Sequence, residues 1–354
     1  MNTTSIAGRT WHFSHSLGRP SAEHNDKTGG YNCPIDVAAT SDGILFVLSR
    51  GVGVNILGYQ RDAGRRIGKT TLDEEHIGDF ARTHFVWPTG LDISSDGNVY
   101  VSDEHANQII IFPPDRIQPY PEFDPEGEQI GQWGEAGPGE GQLSGPSGIE
   151  FDTDGNLFIV NSGNGRIQKF TKDGKFLLGW GGAGNGESEF SRPWGICFDR
   201  DGNVYVADWG NHRIQKFTAD GNYIMSFGTS HDEGGDLSHP SGVAVDSDGD
   251  VYVTDWGHRR VAIFEPNGDV ITSLYGDAQE LSKAGEYIIR RDPGTIKAYR
   301  QVKDKSGLGR FLRPVGITVD SDDHVIITDT AGRLQVYAKD HDYVEPEFKL
   351  EIAP

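Results

Sequence analysis

The chain has 354 residues, 35% of them hydrophobic and 10% aromatic, with 48 glycines and a formal charge of −21. Acidic residues outnumber basic ones 53 to 32, and the one stretch rich in Lys and Arg is RDAGRR, Arg61 to Arg66; this excludes a nucleic-acid partner, which requires a basic face against the phosphates. No apolar run approaches the roughly 20 residues of a membrane helix, the start MNTTSIAGRTWHFSHS lacks a basic-then-apolar leader, and Cys33 and Cys197, without CxxC spacing, read as free thiols, so no membrane partner and a cytoplasmic location are expected.

A sixteen-residue block recurs six times in chain order: PIDVAATSDGILFVLS from Pro34, PTGLDISSDGNVYVSD from Pro88, PSGIEFDTDGNLFIVN from Pro146, PWGICFDRDGNVYVAD from Pro193, PSGVAVDSDGDVYVTD from Pro240 and PVGITVDSDDHVIITD from Pro314. Each reads as an apolar strand, a DG turn and a second strand of alternating β-branched and aromatic residues. A third strand and another tight turn follow in most copies, as in RIQKFTKDGKFLLGW, Arg166 to Trp180. Short strands repeating every 40 to 50 residues or so specify propeller blades. The expected fold is therefore all-β, a six-bladed β-propeller of four-stranded antiparallel blades forming a single domain over 1–354. The sixth unit is one strand short, and TWHFSHSLG (Thr10 to Gly18) resembles an outer strand. The N-terminal strand is expected to complete the last blade, removing the open edge.

If each first strand runs down from a top face, the loops from second to third strand and the loops between blades share that face. Insertions at 62–85 and 277–311 are expected on top, the second as a possible lid, and Pro113 to Gly127 on the bottom. DTDGN, DRDGN and DSDGD resemble the start of a calcium loop, but strand residues follow at once, so they read as hairpin turns. The Asp ending the second strand (Asp103, Asp208, Asp255, Asp329) and Arg166, Arg213 and Arg260 recur between blades, which marks them as structural ties.

Function is sought where the symmetry breaks. The residues after the repeat prolines are Ile35, Thr89, Ser147, Trp194, Ser241 and Val315; those opening the top loops are Arg50, Glu104, Ser162, Trp209, Trp256 and Thr330. The residues before the prolines are Cys33, Trp87, Gly145, Arg192, His239 and Arg313, and extended geometry at X–Pro would turn them towards the axis. Arg50, Arg192 and Arg313 beside Trp194, Trp209 and Trp256 suit a carboxylate on an apolar or aromatic body. Arg50, His105 and His239 are the candidate catalytic groups, and Thr89 joins the candidate binding set.

ADWGNHRIQKF (Ala207 to Phe217) and TDWGHRRVAIF resemble the NHL repeat. The blade layout is similar to that of the peptidyl-α-hydroxyglycine amidating lyases, a resemblance that implies zinc held by three histidines after alternate prolines. Those positions here are Thr89, Trp194 and Val315; the family's tyrosine position holds Gly163, its second arginine position Trp209, and Arg50 alone is retained. The gluconolactonase-like propellers carry Asn and Asp at the after-proline positions, which this chain lacks. No metal and no cofactor are expected. The expected activity is a lyase or hydrolase acting on a small anionic, carboxylate-bearing molecule in the top-face pocket; the alternative is a non-catalytic scaffold for a protein or peptide partner.

Overall fold

The computed structural model describes residues 3–20, 30–56, 59–81, 84–114, 129–229, 234–291, 293–301 and 309–343. Six sheets, each with an antiparallel core of four strands, form the ring of blades; the short strand Glu189–Phe190 adds to blade 3 in parallel. The innermost strands, facing the axis, are Pro34–Ala39, Pro88–Ile93, Pro146–Phe151, Ile196–Phe198, Pro240–Val245 and Pro314–Val319. The second strands, such as Val99–Asp103 and Val204–Asp208, are buried along their whole length, because both faces pack against neighbouring blades. That explains their continuous apolar character.

The core is accordingly a set of layers between blades. Between blades 3 and 4, Phe158, Val160, Ile167 and Phe190 meet Ile196, Val204, Val206 and Phe217. Near the axis the blades come closer than side chains allow. A Cβ on Gly148, two residues after the repeat proline, would lie 2.5 Å from the Trp194 carbonyl oxygen of the next blade, and one on Gly195 would lie 2.6 Å from that of Ser241. In blade 1 this position is Asp36, and its Oδ2 instead accepts a hydrogen bond from the Leu91 N–H of blade 2 at 2.9 Å.

The DG turns fold as their sequences require. Asp152 Oδ1 accepts from the N–H groups of Asp154 and Asn156, at 3.0 and 2.8 Å, and Gly155 takes φ +77°, the left-handed geometry that favours glycine. The carboxylates of Asp152 and Asp199 are met by Lys169 and Lys216 at 2.7 and 3.1 Å.

The last blade closes with Arg9–Leu17, which pairs antiparallel with Arg333–Lys339 from Trp11↔Lys339 to Leu17↔Leu334. Thr3–Ile6 adds a fifth strand outside it. Blade 1 departs from expectation. Arg66–Thr71 and His76–Phe80, inside the supposed insertion 62–85, are its third and fourth strands. The additional chain is the hairpin Val52–Ile56 with Tyr59–Ala63, between the second and third strands. Segment 277–311 does join blade 5 to blade 6, and carries helices α1 (Lys283–Arg291) and α2 (Pro293–Gln301). Ser282 caps α1, its Oγ accepting from Gly285 N–H at 3.0 Å while donating to the Gly18 carbonyl at 2.6 Å. Glu74 of blade 1 accepts from Gly18 N–H and Ala284 N–H at 2.6 and 3.2 Å, so these contacts anchor α1 at the seam between blades 6 and 1. Of the Pro-rich stretch, residues 115–128 lie outside the described residues.

Candidate functional site

The top loops and the segments entering each blade share one face, as their backbone bonds show: Arg50 N–H to Cys33 O at 3.1 Å, Glu104 N–H to Trp87 O at 3.0 Å, and Thr330 N–H to Arg313 O at 3.1 Å. The Asp ending each second strand holds the incoming segment. In blades 2 and 6, Asp103 and Asp329 accept from the N–H groups of Trp87 and Arg313 themselves, at 3.1 and 2.9 Å. In blades 4 and 5, Asp208 and Asp255 accept one residue earlier, from Ser191 and Ser238, both at 2.8 Å. The pre-proline residue then turns left-handed, with φ +49° at Arg192 and +59° at His239, as also at Cys33 (+52°). The extended geometry expected before every proline is therefore not adopted at these positions.

Two groups of side chains occupy the face. In the first, Arg50 crosses towards the axis. Its Nη2 donates to Glu104 Oε2 at 2.6 Å, and its guanidinium carbon stands 4.2 Å from the Trp87 ring centre and 5.8 Å from that of Trp194. Burial pushes the Arg50 pKa down while Glu104 opposes the shift, and Arg50 Nε is buried without a hydrogen-bond partner. In the second group, the His239 ring lies 4.2 Å from Trp209, 4.3 Å from His212 and 6.1 Å from Trp256, centre to centre. Arg313 continues the group, its guanidinium 4.6 Å from the Trp256 ring centre. Burial, then His212, lowers the His239 pKa, with Asp255 opposing, so the imidazole is neutral near pH 7. Nδ1 is 3.3 Å from Ser238 Oγ. Arg50 and Arg313 both act on Cys33, whose thiol is nevertheless pushed up by burial.

Thr89 is buried, and its Oγ1 bonds the Pro146 carbonyl at 2.8 Å and Ser102 Oγ at 3.0 Å. It ties blade 2 to blade 3 rather than presenting a hydroxyl to a ligand. His105 is exposed, and no hydrogen bond or ring contact joins its imidazole to either group among the described residues; Arg192 is likewise exposed and apart. The tyrosine of the amidating lyases has no room at Gly163, where a Cβ would sit 2.6 Å from Ser144 Oγ. Among the described residues no group of three His, Cys, Asp or Glu is placed to hold a metal ion. The recurrent arginines are ties: Arg213 bonds Asp208 at 3.0 Å and the carbonyls of Gly186 and Glu189 at 2.6 and 2.9 Å.

Sequence reasoning placed Trp87 and Glu104 on this face without choosing them as site residues, and it missed His212. It also missed the carboxyls of Asp36, Asp92 and Glu150, which line an axial cavity of about 240 Å³ under Trp194. Their signal was the departure from the glycine or small residue that other blades carry at those repeat positions.

Four segments, residues 85–112, 143–170, 190–217 and 237–272, match the NHL repeat; they fall on blades 2 to 5. Among solved structures the chain is similar to streptogramin B lyase (12% identity, TM-score 0.56, covering 95% of this chain and 100% of that one). It is also similar to a catalytically inactive virginiamycin B lyase from Staphylococcus aureus with quinupristin (15%, 0.54, 93% and 99%). A protein of unknown function from Bacteroides thetaiotaomicron resembles it too (16%, 0.61, 94% and 76%). At these identities the likeness is one of fold.

Proposed function

We propose that this NHL-repeat six-bladed β-propeller is a lyase whose top face acts on a small carboxylate-bearing molecule with an apolar or aromatic body. The observation that carries the reading is the contiguous row Arg313, Trp256, His239, Trp209, with His239 neutral. A carboxylate pairs with the Arg313 guanidinium, its body lies along the two indoles, and His239 takes a proton from the carbon beside the carboxylate. In the tautomer whose Nδ1–H donates to Ser238 Oγ, 3.3 Å away, Nε2 carries the lone pair that accepts it. The adjacent leaving group departs and an alkene forms. The streptogramin B and virginiamycin B lyases share this scaffold, though fold alone assigns no activity.

The test is turnover of a panel of carboxylates with a β leaving group, followed by the absorbance of the conjugated product. His239→Gln should abolish product while leaving affinity unchanged, and Arg313→Gln should weaken binding by roughly ten-fold, the value of one charge-assisted hydrogen bond. A second reading has its own support: Val86, Trp87 and Leu312, 44–48% exposed, stand on the top-face loops, an apolar rim suited to a protein or peptide partner. Absence of both turnover and carboxylate binding would leave that scaffold reading in place.

A further inference from the structure

The axial cavity carries an electrostatic imbalance that the top-face chemistry does not use. Asp36, Asp92 and Glu150 enter it from three consecutive blades, and no Lys, Arg or His is among the residues lining it. Asp36 and Asp92 are held in place by backbone donors: Val37 and Leu91 N–H at 3.0 and 2.9 Å for the first, Ile93 and Phe151 N–H, both at 2.7 Å, for the second. Glu150 has no hydrogen bond among the described residues. Next along the wall, the Cys197 thiol lines the same cavity, is free, and is only 7% exposed. It too has no hydrogen-bond partner among the described residues. An unpartnered buried thiol and an unpartnered carboxyl thus face a polar cavity together. Burial raises the carboxyls of Asp36 and Asp92 to about 7 and that of Glu150 well above its ordinary value, the neighbouring acids adding to the effect on Asp36 and Glu150.

Three acids facing an interior cavity without a counter-cation take up protons or a cation. No three of the donors converge on a point that a metal ion could occupy. Carboxyls spread over three blades suit instead an extended cation, whose ammonium groups reach separate acids while its methylenes lie against Ile35 and Val243. We infer that the channel is a binding site for a linear alkyl-ammonium or diamine, held by Glu150, Asp92 and Asp36 beside Cys197. The site is independent of the top-face lyase reading.

The probe is putrescine, titrated calorimetrically into the full-length protein near neutral pH in two buffers of different ionisation heat, with calcium as the alternative cation. Binding should release protons, because the cation favours ionised over protonated carboxyls, and should slow the reaction of Cys197 with a maleimide. Glu150→Gln should weaken binding by at least roughly ten-fold. Proton release and thiol protection are read on the parent protein, so they stand even if that variant folds poorly. No binding of putrescine, unchanged affinity in Glu150→Gln, absence of proton release, or binding of calcium with putrescine excluded would each overturn the inference.

Discussion

Arg50 lies between two indoles and one carboxylate, and its neighbours set its availability. Glu104 takes one Nη2–H at 2.6 Å and Nε is buried without a partner, so an incoming anion competes with Glu104 for the Nη–H groups. Replacing Glu104 by Gln removes the competing charge, and carboxylate affinity measured by calorimetry should rise up to about five-fold, the equivalent of about 1 kcal/mol for an exposed pair. A fall in affinity would show that Glu104 itself contacts the ligand. At His239, burial and His212 oppose protonation. The pH profile of kcat/KM should therefore decline on the acid side with a midpoint below the ordinary histidine range; a midpoint above it would place the base elsewhere.

Blades 5 and 6 are joined by a buried charge cluster. Lys339 Nζ lies 2.5, 2.9 and 2.8 Å from carboxylate oxygens of Asp246, Asp248 and Asp250, and Arg9 Nε reaches Asp250 at 2.9 Å. Strands from both ends of the chain thus seize one turn. Lys339→Met leaves the buried carboxylate of Asp246 without its cation and should cost about 3–5 kcal/mol in urea denaturation; a loss below about 1 kcal/mol would contradict that role. Deleting residues 1–18 removes the outer strand of blade 6, and should produce aggregation or a large drop in melting temperature.

These elements were legible to different degrees. The DG turns announce themselves in five of the six copies, Asp323 standing at the glycine position of the last with φ +59°. The alternating second strands do so in every copy, and Thr10 to Gly18 carries the apolar–polar alternation of an outer strand. RIGKTT in blade 1 does not: glycine stands for the Gln and threonine for the Phe of RIQKF, so a strand there reads as loop. The pre-proline geometry was hidden for another reason. In blades 2 and 6 the second-strand Asp ties the pre-proline N–H across 16 positions in the chain, and in blades 4 and 5 it accepts one residue earlier, a choice that the repeat pattern does not display. The axial carboxyls were hidden because only the ring brings Asp36, Asp92 and Glu150 together.

Over the whole molecule, the charge of −21 coexists with a few cations gathered at the top and acids gathered on the axis. Asp92 binds its proton more tightly folded than unfolded, with a folded pKa of about 7, so the stability this proton contributes is present in acid and lost as pH rises through that value. Asp92→Asn removes the dependence. Its melting temperature relative to the parent should be higher at about pH 8 than at about pH 5; a constant difference would show that Asp92 ionises normally.

The most direct test of the top-face assignment is a crystal structure of the protein soaked with an aromatic carboxylate such as cinnamate. The account predicts the carboxylate against Arg313, within reach of Arg50, and the ring along Trp256 and Trp209 beside His239. Density absent from that row, or a ligand bound elsewhere with Arg313 still stacked on Trp256, would contradict it.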